Sequence, residues 1–124
     1  MLLLAFAAMA LTSKAEPLWM RYPAISPNGQ QVAFTYKGNI YVVPSQGGQA
    51  KRITPTAGSN SNTVWSPDSK TLAYANDRYG NFDVFTISAS GGMPTRVTTN
   101  SAKEVPYAFS NDGSTIYFGA TIAD

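Results

Sequence analysis

The stretch Trp65-Ser66-Pro67-Asp68-Ser69-Lys70-Thr71-Leu72-Ala73-Tyr74 decides the fold, because the chain contains it in three versions. Ile25-Ser26-Pro27-Asn28-Gly29 precedes it, and Phe109-Ser110-Asn111-Asp112-Gly113 follows. The three serines stand 40 and then 44 residues apart. Six residues after each comes an aliphatic residue (Val32, Leu72, Ile116), and eight after comes an aromatic one (Phe34, Tyr74, Phe118). Alternation of this kind is the period of a strand, and a Ser-Pro-Asn-Gly stretch before it is turn chemistry. Pro27 and Pro67 have no N–H to give a ladder, so they belong in the turn.

The agreement extends outward. Asn39-Ile40-Tyr41-Val42-Val43 matches Asp83-Val84-Phe85-Thr86-Ile87; Gly47-Gly48 matches Gly91-Gly92; Arg52-Ile53-Thr54 matches Arg96-Val97-Thr98. Thr54 lies 12 residues before Ser66, and Thr98 lies 12 before Ser110. The four extra residues of the second unit therefore fall in the loop around Asp77-Arg78-Tyr79-Gly80-Asn81. An insertion confined to a loop is what a structural repeat permits.

Each unit reads as four short strands, in the first about Tyr22–Ile25, Gln31–Tyr36, Asn39–Pro44 and Ala50–Ile53. Nothing after Leu11 has a helical period of useful length. Four-stranded units of roughly 40–45 residues are the signature of β-propeller blades. The predicted fold is all-β, a β-propeller fragment of two complete four-stranded blades and part of a third, in units of about 19–54, 61–98 and 105–124. Ile25, Trp65 and Phe109 recur at one place and are predicted to be core. Only 14 residues follow Ser110, against the 28 from Ser26 to Thr54. The chain is therefore expected to be the N-terminal portion of a longer protein, with open strand edges in its third unit.

Met1–Leu11 is an apolar, uncharged run, too short for the roughly 20 residues of a bilayer span. It suits the apolar core of a secretory signal, with Ser13 and Ala15 placed for cleavage after residue 15. The alternatives are a buried helix or a membrane anchor. Residues 1–15 are thus expected to be a signal peptide and 16–124 an exported chain, periplasmic or extracellular, with no membrane span once the signal is removed. No Lys or Arg precedes the apolar run, so the true start is expected to lie elsewhere.

Composition narrows the chemistry. The 124 residues include no Cys and no His. A disulfide framework, a thiolate or imidazole metal site, and the Ser-His and Cys-His nucleophile pairs are all excluded within this chain. Nine Lys+Arg against seven Asp+Glu, a net charge of +2, is too weak a field for a dedicated nucleic-acid binder. Asp77, Asn81 and Asp83 raise the question of calcium, but the spacing is not that of a helix-loop-helix calcium loop, and Asp83 aligns with Asn39 of the first unit. A turn role is the better reading. Gly47-Gly48 and Gly91-Gly92 lack the Gly-Lys-Ser/Thr ending of a phosphate loop and read as hairpin turns. Arg52 and Arg96 are read as solvated or as hydrogen-bonding between blades. Asp68 and Asp112 are read as turn caps on backbone N–H groups. No catalytic, metal or cofactor residue is assigned, and the singled-out residues are the repeat motif itself: Ser26, Pro27, Asn28, Gly29, Gly47, Gly48, Ser66, Pro67, Asp68, Gly91, Gly92, Ser110, Asp112 and Gly113.

Ser26-Pro27-Asn28-Gly29, then Asn39-Ile40-Tyr41-Val42, Gly47-Gly48 and Arg52-Ile53-Thr54, resembles the WD-like propeller repeat of TolB and tricorn-type proteins. Ser69 in place of the turn glycine and Asn111 in place of proline are departures. The opening Pro17-Leu18-Trp19-Met20-Arg21-Tyr22-Pro23, directly after the apolar run, is similar to exported tricorn-like serine peptidases with a C-terminal-processing-peptidase domain. That resemblance implies a propeller that binds or gates peptide substrates, with the catalytic machinery far downstream. The alternatives are a non-enzymatic TolB-like interaction propeller, or the propeller of a prolyl-oligopeptidase or amidohydrolase type enzyme.

Overall fold

In a computed structural model, residues 20–55 and 58–121 are described. The apolar run and the expected cleavage site lie outside them. The described chain is ten strands: β1 (Met20–Ile25), β2 (Gln31–Tyr36), β3 (Asn39–Pro44), β4 (Lys51–Arg52), β5 (Asn60–Trp65), β6 (Thr71–Asn76), β7 (Asp83–Ser88), β8 (Thr95–Arg96), β9 (Lys103–Phe109) and β10 (Ile116–Thr121). They form antiparallel sheets β1-β2-β3-β4 and β5-β6-β7-β8 and a two-stranded sheet of β9 and β10. The fold is all-β, with no helix among the described residues. The first strand starts two residues earlier than expected, at Met20, and the fourth is only the Lys51–Arg52 pair.

The registers repeat with the sequence. Val32 faces Val43 and Phe34 faces Tyr41; Leu72 faces Ile87 and Tyr74 faces Phe85. Both aromatic pairs stack, at 5.6 and 5.9 Å between ring centroids. Between the first two sheets lies the main core. Ala33, Ile40, Val42 and Ile53 of one pack against Trp65, Leu72, Tyr74, Phe85 and Ile87 of the other. Period-two alternation thus gives each full sheet one face of large residues and one of smaller ones, such as Ala73, Ala75 and Val84 on the far side of the second sheet. Trp65 Nε1 also donates to the Ala24 carbonyl at 2.8 Å, tying β5 to β1.

The expected core positions do not all behave alike. Trp65 is buried, but Ile25 is 51% exposed and Phe109 half-buried. Trp65 sits between two sheets. Ile25 pairs with Val32 on the face of the first sheet turned away from the second. Burial at this repeated position is conferred by the neighbouring sheet rather than by the sheet itself.

Each first strand is broken near its middle. Pairing shifts between Arg21 and Ala24 in β1 and between Ser61 and Val64 in β5, with Tyr22 and Asn62 both at φ 54. In β9 the irregularity falls at Tyr107, whose ring lies over Gly119. These are β-bulges, which bend a strand and re-aim its side chains. First strands touch one another across sheets, β1 with β5 and β5 with β9.

Candidate functional site

The repeat motif builds one turn three times. In the first copy Ser26 Oγ donates to Asn28 Oδ1 (2.7 Å) and accepts from the Gln31 N–H (3.0 Å); Asn28 Oδ1 accepts from the Gln30 N–H (3.0 Å). Ser66 and Asp68 repeat this with the Thr71 and Lys70 N–H groups. Ser110 and Asp112 repeat it with Thr115 and Ser114. Gly29, Ser69 and Gly113 each donate a backbone N–H to the motif serine's carbonyl, at φ 75, 63 and 77. Pro27 and Pro67 stand between serine and cap, outside the strands. Each motif serine hydroxyl is thus engaged on both sides as a turn element. The Ser66 hydroxyl and the Lys70 N–H hold the Asp68 carboxyl below the usual carboxylate range. The Ser114 N–H, with the Ser110 and Ser114 hydroxyls, takes Asp112 down to about 2.

Ser69 occupies a left-handed backbone position that favours glycine. Its Oγ accepts the Asn28 N–H of the neighbouring sheet at 3.1 Å, a bond glycine cannot make. The departure from the motif therefore links the two sheets, offsetting a backbone cost of about 1–2 kcal/mol. The diglycines complete the same end of the structure. Gly47 and Gly91 donate to the Pro44 and Ser88 carbonyls, and all four glycines, Gly47, Gly48, Gly91 and Gly92, have φ between 97 and 132.

Arg52 and Arg96 bond within their own sheets. Arg52 reaches the Thr54 and Pro55 carbonyls. Arg96 Nη2 pairs with Asp83 Oδ2 at 2.6 Å, and its guanidinium lies over the Tyr79 ring at 4.3 Å. The expectation of a link between blades is corrected: the short fourth strand keeps its arginine beside the third strand, where Asp83 or backbone carbonyls are within reach. Asp77, in turn, accepts the Ser59 N–H at 2.7 Å. Asp77 and Asp83 thus serve different partners.

The end of the sheets opposite the motif turns carries a cleft of about 750 Å³. Strand direction explains its position. First strands begin, and second strands turn into third strands, at this one end. Arg21 and Tyr22 enter from β1, Tyr36 and Lys37 from the β2–β3 hairpin, Asn60 and Asn62 from β5, and Lys103 from β9. No Asp or Glu is among the described residues that line it, and Asp77 stands behind the lining Ser59, whose N–H it accepts. Lys37 stands over the Tyr36 ring and Lys103 over the Phe82 ring, each at 5.4 Å, which holds both ammonium groups near the opening. Thr35 also lines it; it is 4% exposed, and its Oγ1 has no hydrogen-bond partner among the described residues. Neighbouring Glu104 is fully buried with Oε2 held by Asn100 and is not a lining residue. The repeat motif gave no hint of this cleft. The readable signal was the placement of Arg21, Lys37 and Lys103 at strand starts and hairpins that alternation brings to one end.

Residues 17–123 match the family described as the tricorn protease N-terminal beta propeller domain. Among curated proteins, an uncharacterized protein of Agrobacterium fabrum is 32% identical over 102 residues, covering 78% of this chain and 34% of that protein. Tricorn protease homolog 1 of Streptomyces coelicolor is 31% identical over 90 residues, covering 73% of this chain and 8% of that protein. The uncharacterized peptidase YuxL of Bacillus subtilis is 25% identical over 118 residues, covering 82% and 17%. The chain thus spans about a third or less of each relative's length. Among solved structures, a putative TolB from Agrobacterium tumefaciens superposes with a TM-score of 0.74 at 20% identity, over 83% of this chain and 38% of that one. TolB from Acinetobacter baumannii gives 0.68 at 28% identity, over 82% and 26%.

Proposed function

Because the chain belongs to the family of tricorn protease N-terminal β-propeller domains, we propose that it is the substrate-binding propeller portion of an exported tricorn-like serine peptidase. In this reading the propeller binds or gates peptides, and hydrolysis is performed by residues outside these 124. The observation that carries it is the family match across residues 17–123, supported by the likeness to Tricorn protease homolog 1. The absence of His from the sequence leaves the abundant serines without an imidazole base, so the chain's own chemistry is binding. Export rests on the apolar run ahead of residue 16. The likeness to TolB from Acinetobacter baumannii favours, as a second reading, a non-enzymatic interaction propeller in the envelope.

The test is made on the native polypeptide. An antibody raised against residues 16–124 is used to fractionate source cells and to purify the protein that bears them. Peptide hydrolysis by that protein, abolished by a serine-directed covalent inhibitor and confined to the exported fraction, is expected. An inert exported protein would favour the interaction reading. A protein held in the cytosol would overturn export.

A further inference from the structure

Arg21 and Lys37 of the first sheet and Lys103 of the third meet at one cleft, and no acid is among the described residues that line it. Among the described residues no carboxylate forms an ion pair with Arg21, Lys37 or Lys103. The chain as a whole is only +2, yet this opening collects a third of its nine basic residues. Two of the cations rest on aromatic rings. Three cations in one recess, with no ion-pairing carboxylate among the described residues, are a set of donors for an acceptor-rich ligand.

We infer that this cleft docks an extended peptide segment rich in Asp and Glu side chains, so that the propeller selects acidic stretches of its partner or substrate. The inference rests on the peptide-binding reading above and adds the chemical class of the peptide. The volume of about 750 Å³ is of the size that holds a few residues rather than a folded domain. Three cations spaced around a recess suit carboxylates presented on alternate residues of an extended strand. They are too few to track a phosphate backbone, whose binding grows with the number of phosphates neutralised. Arg21 supplies a planar fork for a bidentate carboxylate contact, and the two lysines supply point charges on flexible stems.

The probes are two fluorescent, C-terminally amidated peptides, one of alternating Glu and Gly, the other of alternating Gln and Gly. Anisotropy titrations use the full chain at low and at physiological salt. The Glu peptide is expected to bind at least about tenfold more tightly than the Gln peptide and to weaken with salt. A Lys37→Asn/Lys103→Gln double variant is expected to lose about tenfold in affinity for the Glu peptide while leaving the Gln peptide unchanged. Asn tolerates the φ of 50 at residue 37. Far-UV circular dichroism verifies folding, and Arg21→Gln provides a second, independent neutralisation. Equal binding of both peptides would overturn the acidic selectivity and leave peptide binding standing. Binding of neither peptide would remove the peptide reading with it. Unchanged affinity in the variants would place the site elsewhere. Tighter binding of a thymidine oligonucleotide than of the Glu peptide would overturn the peptide as occupant.

Discussion

Removing the Arg96 guanidinium should destabilise the second sheet far more than the same change at Arg52. Asp83 is 1% exposed and its Oδ2 takes the Arg96 Nη2 at 2.6 Å, while its Oδ1 has no partner among the described residues. Breaking a buried pair from one side costs about 3–5 kcal/mol, because the remaining charge is stranded. The Arg96 side chain is 33% exposed, so water reaches the site and the lower end applies. Loss of its contact with Tyr79 adds about 0.5 kcal/mol. We expect Arg96→Met to cost about 3 kcal/mol, lowering Tm by roughly 10 °C. Asp83→Asn should cost about 1 kcal/mol, since the freed arginine keeps water and the Thr98 carbonyl. The double variant should lie near Asp83→Asn, a coupling of about 2–3 kcal/mol. The first sheet is an internal control. Asn39 stands where Asp83 does, and among the described residues Arg52 bonds carbonyls alone, so Arg52→Met should cost about 1 kcal/mol or less. Urea unfolding of the five proteins followed by tryptophan fluorescence gives the cycle. Additive single effects, or equal costs for Arg52→Met and Arg96→Met, would refute the stranded-charge argument.

Three further outcomes follow from the same geometry. Thr98 Oγ1 accepts the buried Val84 N–H at 2.9 Å, so Thr98→Val should cost about 1–3 kcal/mol in urea unfolding, with Thr98→Ser recovering most of it. Asp112 is depressed to about 2 when folded, so its contribution is present above the ordinary carboxyl value of ~4 and lost as pH falls toward 2. Asp112→Asn should flatten the acid limb of the stability profile across that window, and an unchanged limb would count against the turn-capping account. Burial raises Tyr74 to about 12, so stability is intact below ~10 and falls as pH rises from there to 12. Tyr74→Phe should lessen that alkaline loss, as read by circular dichroism.

The turns were legible in the sequence because their bonds are local. Ser26 and Asn28, or Ser66 and Asp68, are two residues apart, and everything they hold lies within five. Strand positions followed for the same reason, since alternation and turn residues fix a hairpin without reference to distant chain. Ile25 misled because its exposure depends on whether another sheet covers it, a property of neighbours 40 residues away. Ser69 reads in sequence only as a departure from the motif, because the Asn28 N–H it accepts belongs to a turn 41 residues away. The cationic cleft was hidden for the strongest version of this reason. Its three basic residues come from a first strand, a hairpin and a strand of another sheet, and belong to no common motif.

The unequal faces of each sheet also set how such sheets assemble. A large-residue face, Leu72, Tyr74, Phe85 and Ile87, fits the smaller face of the sheet before it. A two-fold dimer through these surfaces would oppose large to large or small to small, leaving overlap on one side and voids on the other. Association through them is therefore heterologous and head-to-tail. Copies joined this way either close into a ring or extend without limit, so any self-assembly of this chain through its sheet faces will be polar rather than paired.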